Sequence, residues 1–309
     1  MQNLVHSLIA LAIISTSARA CYGPSKHGTL LFSCTSNITH VTFNNPPINL
    51  MNTPLINDLH SFLLSLQPTG PLASTSTPPT PKIVIFSSSN PDFFLSHLDL
   101  NFLLPPPTPE KTTATNKYVE ITHMLQNITS TVFIAKINGR AFGAGQEMIL
   151  QMDMRFAGPK ALTGSPENSL GLMASIGGQT FLPLFINKGR ALEYLLASKA
   201  FDGPTGAALG LFNHYYNAAE ELDKRVTDLA EKIALFPQWS LNETKATLNA
   251  FNPSPDLLQR DLQSFTELAR LAEVQKNVVW MIEAAGNETR GELELGLPDS
   301  IVRGFYERG

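Results

Sequence analysis

The segment Asn138–Gly178 constrains this chain more than any other, because it sets two glutamates among Gly-rich turns in otherwise apolar sequence. It reads NGRAFGAGQEMILQMDMRFAG and then TGSPENSLGLMASIGG. Surroundings of this kind rarely admit a charge such as Glu147 or Glu167 unless it is paired or put to chemical use. The preceding Val132–Ile137 (VFIAKI) is short, apolar and rich in β-branched residues, which predicts a buried strand. Gly139, Gly143 and Gly145 let the backbone turn tightly and approach a ligand closely. Gln146–Met152 continues as a predicted helix, so the amides near Ala144 lie at its positive end. An anion, or an oxygen gaining negative charge, is stabilised there.

The run A-F-G-A-G-Q-E followed by S-P-E-N-S-L-G resembles the crotonase, or enoyl-CoA hydratase/isomerase, superfamily. Three further segments carry the likeness: VTFNNPPINLMN (Val41–Asn52) is similar to the family's opening strand and turn, FFLSHLDL (Phe93–Leu100) to its first oxyanion loop, and KAFDGPTGAALGLFNHYY (Lys199–Tyr216) to a later strand–helix segment. The resemblance spans roughly residues 28 to 305. It implies an α/β fold: a crotonase-like spiral of ββα units over residues 21–222, with a C-terminal helical region over 223–309. It also implies a homotrimer or hexamer, with the helical tail covering the active site or packing on a neighbouring subunit.

The implied chemistry is that of acyl-CoA thioesters, with acyl-CoA as substrate and no cofactor. Reaction at the α-carbon generates an enolate, so the catalyst needs donors aimed at the thioester oxygen. By resemblance these are the backbone N–H groups of Leu98 and Ala144. Glu147 and Glu167 match the two glutamates of hydratases, Glu147 helping to deprotonate a water and Glu167 delivering a proton to the α-carbon. Isomerases of the family need chiefly the second acid. His97, Asp99, Gly143, Gly145 and Gly171 are the residues expected around the substrate, with Asp99 fixing its loop by hydrogen bonds. Two departures stand out. His97 occupies a position where many relatives have Gly, and would carry a conformational cost if that position needs φ > 0. Ala174-Ser175 replaces a Pro-Gly pair common in the family.

Composition excludes several alternatives. With 43% hydrophobic and 16% charged residues the chain is globular in character. A net charge of −4 and the lack of a basic cluster interleaved with aromatics argue against nucleic-acid binding. No CxxC, HExxH or clustered His points to a metal site. The glycines of the central turn lack the third member of a dinucleotide fingerprint, and no G-x-S-x-G elbow suggests a serine hydrolase.

Leu4–Ile14 is an apolar run followed by Ala18-Arg19-Ala20, which predicts a secretory signal over residues 1–20, a segment too short to span a bilayer. Cys21 and Cys34 are the only cysteines; they could close a disulfide or be two unrelated thiols. Sequons lie at Asn37, Asn127, Asn242 and Asn287, with Asn127 expected to be hidden before a buried strand. Secretion, with intracellular residence as the alternative, sits uneasily with acyl-CoA chemistry. A secreted, repurposed fold without acyl-CoA turnover is therefore the competing reading.

Along the rest of the chain, Thr29–Phe43 predicts a hairpin or two edge strands, Leu50–Leu66 an amphipathic helix and Lys82–Ser87 a buried strand. Pro105–Pro109 predicts a stiff exposed excursion. From Asp223 onward the pattern is mainly helical. Lys82, Lys136, Arg303 and Arg308 are candidates for CoA phosphates by charge alone.

Overall fold

A computed structural model describes residues 28–35, 37–67, 80–286 and 289–308. The predicted signal, Cys21 and the Asn287 sequon lie outside them. The strands are β1 (Leu30–Thr35), β2 (Ile38–Phe43), β3 (Ile83–Ser88), β4 (Phe93–Leu95), β5 (Val132–Ile137), β6 (Arg140–Phe142), β7 (Met154–Ala157), β8 (Leu162–Gly164), β9 (Ala200–Asp202) and β10 (His214–Tyr215). The helices are α1 (Thr53–Leu66), α2 (Pro109–Asn127), α3 (Ala144–Leu150), α4 (Gly178–Ile186), α5 (Lys188–Leu196), α6 (Gly203–Leu209), α7 (Ala219–Ala234), α8 (Gln238–Asn249), α9 (Pro255–Ala269), α10 (Ala272–Ala284), α11 (Glu292–Leu295) and α12 (Asp299–Arg308).

A six-stranded sheet runs in the order β1-β2-β3-β5-β7-β10, parallel except for the β1–β2 hairpin. A four-stranded sheet, β4-β6-β8-β9, repeats the same progression beside it. Each turn of the chain thus adds one strand to each sheet, which is the α/β spiral the sequence implies. The central strands β3 and β5 are buried on both faces, as parallel strands covered by helices must be. On one face lie α1, with Leu55, Leu59, Phe62, Leu63 and Leu66 buried, and α2. Against the other face α7 packs Leu222, Val226 and Ala230 onto Ile83, Ile85, Val132 and Ile134.

Helix α1 starts at Thr53, three residues after the apolar pattern begins. Asn52 accepts from Leu55 N–H as the N-cap, and Pro54 fits the first turn. The proline-rich excursion ends in a 19-residue helix that the breaker signals mask. Thr108 caps α2, accepting from Lys111 N–H, and Pro109 is its first residue. Asn127, expected to be hidden, is exposed at the end of that helix. Cys34 is disulfide-bonded.

The C-terminal helices do not form a separate layer. Val274, Val278 and Met281 of α10, with Leu297 and Ile301, share a core with Leu100, Phe142, Leu170 and Leu172. This packing carries the helical tail to the edge of the second sheet, beside the Gly-rich turns.

Candidate functional site

The loop after β4 is held by the turn that follows β2. Asn49 donates through Nδ2 to Ser88 Oγ (2.8 Å) and the carbonyls of Phe93 and Phe94, and its own carbonyl accepts from Ser96 N–H (3.0 Å). Met51 N–H donates to the His97 carbonyl (3.0 Å) and the Met51 carbonyl accepts from Asp99 N–H (3.2 Å). Backbone groups alternate sides along an extended segment, so the Leu98 N–H points away from Met51. Among the described residues it has no backbone acceptor. The Ala144 N–H lies at the first position of α3, where no intrahelical acceptor exists, and Gly143 supplies no side-chain cap.

Two glycines make this approach of loop and helix possible. Gly143 has φ +54°, and a Cβ there would stand 2.8 Å from Glu167 Oε1 and 3.3 Å from His97 Cβ. At Gly145 a Cβ would stand 2.0 Å from the Leu95 carbonyl oxygen, so α3 can lie against β4 only without a side chain.

His97, Leu98, Gly143, Ala144, Glu147 and Glu167 all line one cavity of about 570 Å³. Its walls are otherwise apolar: Leu100, Phe102, Leu103 and Leu104 after the loop, Leu170, Leu172 and Ile176 beyond Glu167, and Leu262, Phe265, Ala269 and Met281 from α9 and α10. The tail of the same chain therefore walls the site. Asp99, Gly145 and Gly171, expected near substrate, do not line the cavity. Asp99 accepts from the backbone and side-chain amides of Asn101 (both 2.9 Å), Gly145 serves the α3–β4 contact, and Gly171 ends the turn Glu167–Leu170 at φ +81°. His97 has no positive φ, so the conformational cost attached to replacing glycine there does not arise.

Glu147 is 5% exposed. Its Oε1 accepts from Ser175 N–H (2.9 Å) and its Oε2 from the Tyr118 hydroxyl (2.9 Å). The donor at position 175 is main-chain, so a Gly there would supply it equally and the Ala174-Ser175 departure leaves this contact intact. Burial, then the charge of Glu167, push the Glu147 carboxyl up to about 8 against the pull of those two hydrogen bonds. Burial pushes Glu167 up to about 7, opposed by a backbone hydrogen bond and by His97. Glu167 Oε2 is buried without a hydrogen-bond partner. Two such carboxyls in one cavity retain a proton between them near neutrality, the condition for one to act as acid while the other acts as base. Ile176, a β-branched residue at φ +45°, borders them, its carbonyl held by Gln151 Nε2 (2.8 Å). Such a backbone costs on the order of 1–3 kcal/mol and persists where the surroundings over-determine it.

Sequence reasoning missed Tyr118, Lys111, Arg270 and Gln275, which also line the cavity. The capped start of α2 was the available signal for Tyr118. Of the cations chosen by charge, the side chain of Arg308 lies outside the described residues and the other three lie away from the cavity. Lys82 donates to the carbonyls of Ala234 and Phe236, Lys136 pairs with Asp223, and neither these nor Arg303 line the cavity. Among the described residues no group of three or more His, Cys, Asp or Glu could hold a metal, and no helix is long and apolar enough to cross a membrane.

Known proteins resemble this chain in sequence and in fold. A mitochondrial protein of Dictyostelium discoideum named "Probable enoyl-CoA hydratase" is 34% identical over 128 residues, 41% of this chain and 46% of that one. The peroxisomal Delta(3,5)-Delta(2,4)-dienoyl-CoA isomerase of Arabidopsis thaliana is 31% identical over 115 residues, 37% of this chain and 41% of that one. The chain thus spans less than half the length of these curated relatives. A crystal structure of a Streptomyces avermitilis protein provisionally called an enoyl-CoA hydratase superposes with a TM-score of 0.81 at 31% identity, covering 91% of this chain and 98% of the other. Pseudomonas aeruginosa DspI, at 22% identity and a TM-score of 0.65, shares the fold. The model of the enoyl-CoA hydratase/isomerase family matches residues 33–285, and with the spiral and paired glutamates in place the chain belongs to that family.

Proposed function

We propose that this chain is an enoyl-CoA hydratase, adding water across the 2,3-double bond of an acyl-CoA thioester. The observation that carries the reading is the convergence of two carboxyls, both raised toward neutrality, on a cavity that Leu98 and Ala144 also line. The thioester oxygen accepts from those two donors as charge develops on it. In the form that carries the pair's proton on Glu167, Glu147 as carboxylate takes a proton from a water, which adds at the β-carbon. Glu167 as acid gives its proton to the α-carbon, and exchange with solvent restores the pair. The apolar walls suit an acyl chain. Hydration of crotonyl-CoA, followed by loss of the conjugated thioester's ultraviolet absorbance, tests the reading. Glu167→Gln is expected to lower turnover by about a hundred- to ten-thousandfold, and a wild-type rate in that variant would refute it.

One observation favours isomerisation of a 3-enoyl to a 2-enoyl thioester as the second reading. Both Glu147 oxygens already accept hydrogen bonds, whereas Glu167 Oε2 has no hydrogen-bond partner. A proton shuttle between the α- and γ-carbons needs only that second carboxyl. Glu147→Gln separates the two: hydration falls with it, isomerisation survives it. A trimeric or hexameric assembly is also proposed, supported by exposed Leu235, Phe236, Trp239 and Phe251 around α8. Light scattering of the purified protein tests it. Entry to the secretory pathway stays a proposal resting on Leu4–Ala20, tested by N-terminal sequencing of native protein.

A further inference from the structure

His97 and Glu294 are buried titratable groups that the proposed reaction does not use. His97 is 5% exposed and Glu294 0%, although 197 positions separate them. The imidazole lies between two oxygens: Nδ1 is 2.8 Å from the Leu98 carbonyl and Nε2 is 3.0 Å from Glu294 Oε1. A carbonyl only accepts, so Nδ1 carries a hydrogen and donates to it. The second contact is a hydrogen bond only if a proton also lies between Nε2 and Oε1, on either atom. Both ends of the ring are therefore tied.

What the ring holds is the oxyanion loop. Met51 fixes the peptide before Leu98 through the His97 carbonyl and the peptide after it through Asp99 N–H. The remaining polar group on that stretch besides the Leu98 N–H is the Leu98 carbonyl, and His97 secures it. Glu294 is itself presented by a fixed support. Arg140 donates to the Leu295 carbonyl through Nε (3.1 Å) and Nη2 (2.7 Å), and Arg290 pairs with Asp92. We propose that His97 and Glu294 are a positioning pair that aims the Leu98 N–H at the thioester oxygen, making α11 part of the working site. The inference rests on the thioester reading and assigns no bond-making step to either residue.

The experiment uses acetoacetyl-CoA as probe. Loss of its C2 proton gives an enolate that absorbs in the near ultraviolet, and aimed N–H donors favour that enolate in the bound state. His97→Ala and Glu294→Ala are expected to weaken the enolate band and to lower kcat by about 10- to 100-fold, part of what loss of a whole oxyanion donor costs. Affinity for saturated butyryl-CoA should change far less. Glu294→Gln, whose amide can donate to Nε2, is expected to restore most of the band. If the alanine variants do not fold, shape-preserving changes carry the test. His97→Asn keeps a donor to the Leu98 carbonyl and should retain more of the band than His97→Gln, which reaches only Glu294. Wild-type bands and kcat in the alanine variants, or the reverse order of the Asn and Gln variants, would overturn the inference. A wild-type protein with neither an enolate band nor turnover would instead overturn the thioester reading itself, and the inference with it.

Discussion

Glu147→Gln is expected to cost activity while stabilising the fold, and the gain should grow with pH. The carboxyl's ordinary value is 4.5 and the folded protein raises it to about 8. A raised carboxyl is held protonated by the fold, so the unfolded chain ionises first. Stability is therefore unpenalised below about pH 4.5, falls through the interval up to about 8, and is level above it. At 1.36 kcal/mol per pH unit the whole interval amounts to about 5 kcal/mol, of which about 3 kcal/mol has accrued by pH 7. Glutamine has the same shape and does not titrate. Its oxygen accepts from Ser175 N–H, and its amide donates to Tyr118, whose hydroxyl can still donate to the Ala144 carbonyl at 3.2 Å. Any loss from the altered hydrogen bonds, about 1 kcal/mol, is independent of pH. The slope is thus the diagnostic. Urea unfolding of both proteins between about pH 5 and pH 7 should show the variant's advantage increasing by about 1 kcal/mol per pH unit. A constant difference across that range would show that burial does not raise the Glu147 carboxyl.

Tyr118→Phe removes the hydroxyl that favours the Glu147 carboxylate, so the alkaline move of that group should appear as an upward shift in the pH profile of kcat/KM, with lower turnover near neutrality. Gly145→Ala forces a Cβ onto the Leu95 carbonyl and should destabilise by about 1–3 kcal/mol or more, while lowering kcat as the oxyanion loop is pushed from α3; thermal melts and steady-state kinetics check both. Lys245→Ala leaves the half-buried Asp153 without its 2.8 Å partner, although Phe133 N–H still donates to it, and should cost about 1–3 kcal/mol in chemical unfolding. Because neither residue lines the cavity, its KM should stay near wild type where the variant remains folded.

How far the site was legible follows from how local its signals are. Glu147, Glu167, the Ala144 amide and the Gly-rich turns sit within one run of sequence, and the geometry they need is written in residues that tolerate few substitutes, as the contacts at Gly143 and Gly145 show. Strands β3 and β5 were equally readable, since burial on both faces leaves four consecutive apolar residues in each, Ile83–Phe86 and Val132–Ala135. Helix α2 was obscured because prolines that break a helix interior also suit its first turn, so Pro109 marks a start as readily as a break. Its polar sequence, with Ala114, Tyr118, Ile121, Thr122, Met124 and Leu125 as the buried positions, gave a weak stripe. Charge alone could not single out a CoA phosphate ligand, because it says nothing about which cation a carbonyl or Asp223 already occupies, as at Lys82 and Lys136.

Glu294 marks the limit of such reading. Nothing in Gly291–Gly296 distinguishes it from Glu292 two positions earlier, and only the fold reveals that Glu294 is fully buried while Glu292 is not. The sequence did flag its partner: His97 replaces a residue that many relatives keep small, and a larger side chain in a crowded loop needs room and partners. The structure supplies both, through the Leu98 carbonyl on one ring nitrogen and a carboxyl from the far end of the chain on the other. A departure from a family pattern at position 97 and an unremarkable glutamate near the C-terminus therefore have one physical explanation. Each is buried at an acceptable cost only because the other is present. The helical tail that provides Glu294 also contributes Phe265 and Met281 to the cavity wall. Residues 255–296 are accordingly part of the site's construction, and a truncation before α9 should expose the cavity and leave His97 without its carboxyl partner.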